Sequence, residues 1–300
     1  MIEEEVINES IAEIKQILGI IKSEIGMIDD KGHSKKQTKI NPIDEGVRAT
    51  ILFTQRSYLD FYRKIADFIY NKLSEKAPDK DFFFYIPQLR TLIEIYSYLL
   101  YLCFQDEKRQ MELIISNTLY TLSKSDSSFK TKEIQEQYAL YYQSCKPFIN
   151  REKLIFPENP NDFSGKWLKR SGYDYPHVDQ RLKTEWIKES SPQYSFYTRN
   201  AEINQNYMYK HFSNYVHGNV LSKEDYGNEK FWIISETIIL SGRIAELVNT
   251  KVLDNSKRKE IFEWIKRISK NRPKFVEAWK LPRNKINEER MIKLKHSSQQ

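Results

Sequence analysis

Three hundred residues with 40% hydrophobic content can bury a substantial core in one large domain or two smaller ones, which excludes a disordered chain. Glycine (9) and proline (10) are sparse and sheet signals are weak throughout, so an all-α multi-helix bundle is expected. The formal charge of +7 is uneven: residues 251 to 300 hold 15 Lys and Arg against 6 Asp and Glu, a local +9 that leaves −2 for the rest. Such a basic segment suits a phosphate backbone or an acidic partner, and equally a solvated surface helix.

Residues 2 to 26 pattern as an amphipathic helix through Ile7, Ile11, Ile14, Leu18 and Ile21, expected as an N-terminal unit over 1–28 that packs outside or docks on a partner. The opening MIEEEV is acidic where a secretory signal is basic, and only two cysteines occur, so a cytoplasmic protein without a disulfide framework is expected. From Asp29 to Pro42 the polar text DDKGHSKKQTKINP reads as an exposed linker. A bundle domain is expected over 44–272, opening on Asp44 as the N-cap of a helix to about Leu73, with Val47, Ile51, Leu52, Leu59, Phe61, Ile65 and Ile69 on its apolar side.

The run FFFYIPQLRTLIEIYSYLLYLCF, from Phe82 to Phe104, is apolar around nearly the whole helical circumference, which marks a central helix. Pro87, Gln88, Arg90 and Glu94 within it argue against a membrane span. Arg90, Glu94, Ser97 and Tyr101 share a narrow polar strip, because offsets of four, seven and eleven residues return to almost the same angle. The strip reads either as an Arg–Glu pair satisfying itself, since an unpaired interior charge costs several kcal/mol, or as one wall of a shared polar cavity.

Two further helices are expected over 107 to 124 and 131 to 150, and then an irregular insert over about 156–200. Lys166, Trp167, Lys169 and Arg170 interleave a ring with cations, as a single-strand nucleic-acid surface would; the same residues can pin a loop onto the bundle. In the stretch from Tyr207 to Asn219, YMYKHFSNYVHGN, a helix places Lys210, Ser213, Asn214 and His217 on one side and Met208, Phe212, Tyr215 and Val216 on the other. Gly218 closes it, leaving His217 in the last turn where the helix dipole favours an imidazolium. Helices over about 224 to 252 and 256 to 270 follow, and then a basic tail over 273–300.

The five histidines are scattered, and His211 and His217 fall on different helical faces, so neither a metal site nor a cofactor is expected. An Arg-x-x-x-Glu on an apolar helix, a tryptophan-bearing loop and a Tyr-x-x-x-Ser-x-x-Val-His-Gly stretch resemble a set of all-helical bacterial proteins. Here those residues are Arg90, Glu94, Trp167, Tyr209, Ser213, Val216, His217 and Gly218. More distantly, a helix ending in histidine resembles the higher eukaryote and prokaryote nucleotide-binding (HEPN) fold. Many of its members are metal-independent ribonucleases of toxin, CRISPR and anti-phage systems that use an arginine and a histidine, commonly across a dimer interface.

The resemblance implies a component of a bacterial defence or toxin-like system that acts on RNA or binds it, as a homodimer or with a partner protein. His217 would be base or acid, Lys210 or Arg90 the cation, and Asn214 and Glu94 the orienting groups. The sequence departs from the family pattern at Lys210, because no arginine lies between Arg199 and His217. Lysine supplies charge without arginine's planar fork. A non-catalytic helical scaffold using the same pocket for packing is the alternative.

Overall fold

In the computed structural model, the described residues are 2–33, 41–75, 85–124, 132–181, 209, 213, 226–255, 258–268, 270 and 271. Among them the chain is all helical, with α1 (Ile2–His33), α2 (Pro42–Ser74), α3 (Ile86–Cys103), α4 (Glu107–Lys124), α5 (Lys132–Arg151), the short α6 (Gly165–Ser171) and α7 (Val178–Arg181), and α8 (Tyr226–Leu247). A helix over 259 to 268, α9, follows. No helix among the described residues is long and apolar enough to cross a membrane.

Local chemistry sets the start of α2. The Asn41 side chain accepts from the Ile43 N–H at 3.0 Å, and Pro42 follows at the first helical position, where its missing N–H forfeits no hydrogen bond. The expected N-cap, Asp44, therefore lies inside the first turn, where its charge complements the helix dipole and pairs with Arg151. Burial on α2 recurs through Val47, Ile51, Gln55, Leu59, Tyr62, Ala66, Ile69 and Leu73. Phe61, expected on that side, is 53% exposed beside Phe53 and Phe68, because two residues from Leu59 is more than half a helical turn.

The expected linker from Asp29 begins later, since α1 continues through His33. Tertiary anchors hold that last turn: Ile28 is buried, Asp29 takes Arg56 at 3.0 Å, and Lys31 donates to the Val252 carbonyl at 2.6 Å. Nor is α1 an outlying helix, because it packs on both α2 and α8 and buries Ile14, Ile17, Ile21 and Ile28 in the main core.

Two cores share two helices. The larger joins α1, the C-terminal half of α2, most of α3, α8 and α9. The smaller joins Val47 and Ile51 of α2, Tyr101 and Leu102 of α3, α4, α5, and Phe156, Phe163 and Leu168 after α5. The central position expected for α3 is thus met from both sides: Leu89, Leu92, Ile93, Leu99, Leu100 and Leu102 are wholly buried.

α8 ends in a wider turn over Val248–Val252, and α9 is then clamped onto α1. Arg267 grips Glu13 with two bonds of 2.7 Å and also reaches Gln16. Arg258 lies 3.6 Å from Glu24 and donates to the Ser23 hydroxyl at 2.8 Å. Trp264 is wholly buried between these anchors.

Candidate functional site

The polar strip of α3 supplies one wall of the site. Arg90 Nη2 and Glu94 Oε1 are 3.2 Å apart, one turn along the helix, with side chains 26% and 32% exposed. Ser97 drops out of the strip, because its buried hydroxyl donates to the backbone carbonyl of Glu94 at 2.8 Å. Tyr98 takes its place one turn beyond Glu94.

The chain after α6 covers this strip from its C-terminal end backwards. Tyr175 meets Tyr98 edge-on at 5.0 Å and Tyr101 at 6.0 Å. Arg181 at the end of α7 then places its guanidinium carbon 3.6 Å from the centre of the Tyr98 ring, a desolvated cation–π contact. Tyr58 of α2 stacks on Tyr98 at 6.0 Å with the planes 9° apart. Tyr209 completes the cover. Its hydroxyl accepts from Arg90 Nη2 at 3.1 Å and donates to Glu94 Oε1 at 2.9 Å, while the Arg90 guanidinium lies 5.2 Å from its ring. The Ser213 hydroxyl donates to the Tyr209 carbonyl at 2.7 Å.

Electrostatics follow from this packing. The Tyr209 bond holds the Arg90 guanidinium above its ordinary pKa, with Glu94 acting in the same sense against burial. Burial pushes the Tyr209 phenol up, although Arg90 works the other way, so the hydroxyl is neutral at physiological pH and serves as donor and acceptor together. Burial also lifts Tyr58 and, strongly, Tyr175. Arg181 is the opposite case: burial lowers it, with Tyr98 and Glu94 acting in its favour. It is 3% exposed, and among the described residues its Nε and Nη1 are buried without a hydrogen-bond partner, as is Nε of Arg90.

Of the residues singled out in the sequence, Arg90 and Glu94 therefore meet, and Tyr209 of the Tyr207–Asn219 stretch joins them. Lys210, Asn214 and His217 lie outside the described residues. Lys166, Lys169 and Arg170 are exposed on α6, which Ser164 caps by accepting from the Trp167 N–H at 3.1 Å and Gly172 closes at a φ of 72°. The Trp167 ring is packed between Phe163 at 4.7 Å, Phe156 at 6.0 Å and Tyr173 at 6.1 Å, so it pins the insert to the smaller core. α6 packs on α4, whereas α7 packs on α3, the helix that carries the strip.

Sequence reasoning missed Tyr58, Tyr98 and Arg181. Tyr98 had a signal, since it follows Arg90 and Glu94 by eight and four residues. Arg181 had none, because a single cation in an irregular stretch is indistinguishable from a solvated one.

A second polar seam runs inside the larger core. Tyr62 and Ser241 exchange a hydroxyl hydrogen bond at 3.0 Å, and Glu236, Thr237, Arg243, Glu246 and Asn249 of the same region are buried. Burial lifts the Glu246 carboxyl to about 7, with Arg243 pulling it down. No protein-family model matches the chain, and no curated protein or solved structure matches it at a significant level.

Proposed function

We propose that this chain is an RNA-directed helical protein of the HEPN-like kind, a component of a bacterial defence or toxin-like system, whose site lies between the α3 strip and the Tyr207–Asn219 stretch. One observation carries the reading: the Tyr209 hydroxyl bridges Arg90 and Glu94, which seats the start of that stretch on the strip. Tyr209 satisfies both charged groups of the strip at once, which supports the meeting of the two elements.

Metal-independent RNA cleavage needs a base for the 2′-hydroxyl, an acid for the departing 5′-oxygen, and a cation for the charge that builds on the phosphate. Arg90 is the cation in this reading. Glu94, whose Oε1 already accepts from Tyr209 and pairs with Arg90, orients its neighbours rather than taking a proton. Proton transfer falls to His217, helped by Lys210 and Asn214, and a homodimer or partner protein would supply what one chain lacks.

A scaffold reading is favoured by one feature of the same geometry, namely that Arg90, Glu94 and Tyr209 close a triangle and can serve simply to fasten two elements. The two readings separate on unstructured RNA incubated in a chelator. Cleavage by the wild type that drops by about 10² or more in His217→Ala is the expected result. RNA binding should weaken steeply with salt, and truncation after Leu281 should flatten that slope, because the basic C-terminal segment then releases fewer counterions. Neither cleavage nor binding at low salt leaves the scaffold reading.

A further inference from the structure

Burying a cation is costly unless a counter-charge and hydrogen-bond acceptors are buried with it. Arg181 has neither in full. Two of its nitrogens are buried without partners, and the one described carboxylate that acts on it, Glu94, already pairs with Arg90 at 3.2 Å and accepts from Tyr209 at 2.9 Å. Arg90 is also incompletely satisfied at Nε. Among the described residues, two guanidiniums therefore share one carboxylate. The cation–π contact with Tyr98 supplies no acceptor for the N–H groups of Arg181.

We propose that Arg181 and Arg90 form a seat for one phosphate group beside the Tyr209 hydroxyl. Among the described residues, two arginines and one glutamate sum to a single positive charge, which a phosphodiester cancels. A phosphate also offers more acceptor oxygens than a carboxylate, enough for two guanidinium edges. Tyr98 and Tyr58 hold Arg181 in place, so the seat is formed before the ligand arrives and little ordering is lost on binding. The proposal deepens the RNA reading by naming the group that the site grips, and it rests on that reading only for the source of the phosphate, the RNA backbone.

The test uses the full chain with inorganic phosphate, acetate at matched ionic strength, and a short single-stranded RNA. Phosphate should raise the unfolding midpoint saturably where acetate does not. Arg181→Met keeps the packing on Tyr98 and removes the unpaired charge. It should unfold at no lower a midpoint than the wild type without ligand, lose the phosphate response, and bind RNA roughly tenfold or more weakly. Arg181→Lys keeps the charge without the fork and should respond to phosphate only weakly. No saturable phosphate response in the wild type, an equal response to acetate, or an undiminished phosphate response in Arg181→Met overturns the seat. If Arg181→Met does not fold, an undiminished response in Arg181→Lys does the same. Should the phosphate response depend on Arg181 while RNA fails to compete with phosphate, the seat stands and the RNA reading falls.

Discussion

The phenol oxygen of Tyr209 is bonded to a cation on one side and a carboxylate on the other, which makes three side chains one thermodynamic unit. Tyr209→Phe keeps the ring and removes both bonds, and should lower stability to urea by about 1–2 kcal/mol. In a double-mutant cycle with Arg90→Ala the two effects should fall short of additivity by more than about 0.5 kcal/mol, and additivity would show the contact to be absent in solution. Buried outright, an Arg90–Glu94 pair would cost several kcal/mol to break. With about a quarter and a third of the side chains exposed, solvent supports whichever charge is left, and Arg90→Ala should cost about 1 kcal/mol. Glu246 gives the pH dependence. Its folded pKa of about 7 lies above that of an unfolded glutamate, so its contribution is fully favourable below about pH 4.3 and is lost as pH rises through 7. Glu246→Gln, neutral throughout, should flatten that part of the stability profile and gain on the wild type by about 1–3 kcal/mol between pH 5 and pH 8. An unchanged profile would place the carboxylate in solvent.

α1 and α9 stand nearly ends of the chain apart, and charge pairs fasten them in register. The two anchors differ in kind. Arg267 with Glu13 is a partly exposed fork, whereas Glu24 is 0% exposed and has Arg258 at 3.6 Å as its counter-charge. Burial pushes Glu24 well above the ordinary carboxylate range and Arg258 pulls it back. Arg258→Ala should therefore cost roughly 3 kcal/mol at pH 8, where the buried carboxylate would have to stay charged or take up a proton. Because a raised carboxyl pKa leaves stability intact at low pH and loses it as pH rises, the deficit should shrink towards pH 5. Chemical denaturation at the two pH values measures this, and a deficit independent of pH would mean that Glu24 is hydrated.

Across the whole molecule, two cores have no independent boundary, because α2 and α3 each contribute to both. Melting one core removes a wall of the other. Ile244→Ala in the larger core and Ile114→Ala in the smaller should each cost about 2–4 kcal/mol and lower a single transition, with calorimetric and van't Hoff enthalpies in agreement. Two separable transitions would show the cores to be autonomous. The same coupling bears on the site: Tyr98 and Tyr101, which the insert covers, belong to the helix common to both cores, so the strip sits on the part of the fold least able to open locally.

Helix content, the central rank of α3 and the Arg90–Glu94 strip were legible in the sequence, since periodicity and i, i+4 spacing are properties of one segment and need no partner to be known. Even there, local rules misjudged ends where a distant contact intervened, as when Arg56 and Val252 carry α1 past Asp29. Which face meets which was not legible. Apolar burial is non-directional, so the apolar face of α1 fits any greasy helix equally well on paper, and only the assembled core seats α1 against α2 and α8. Arg181 shows the limit most plainly: its place on Tyr98 follows from the path of the chain after Tyr175, and the cost of an unpaired buried charge exists only once tertiary packing has taken the water away.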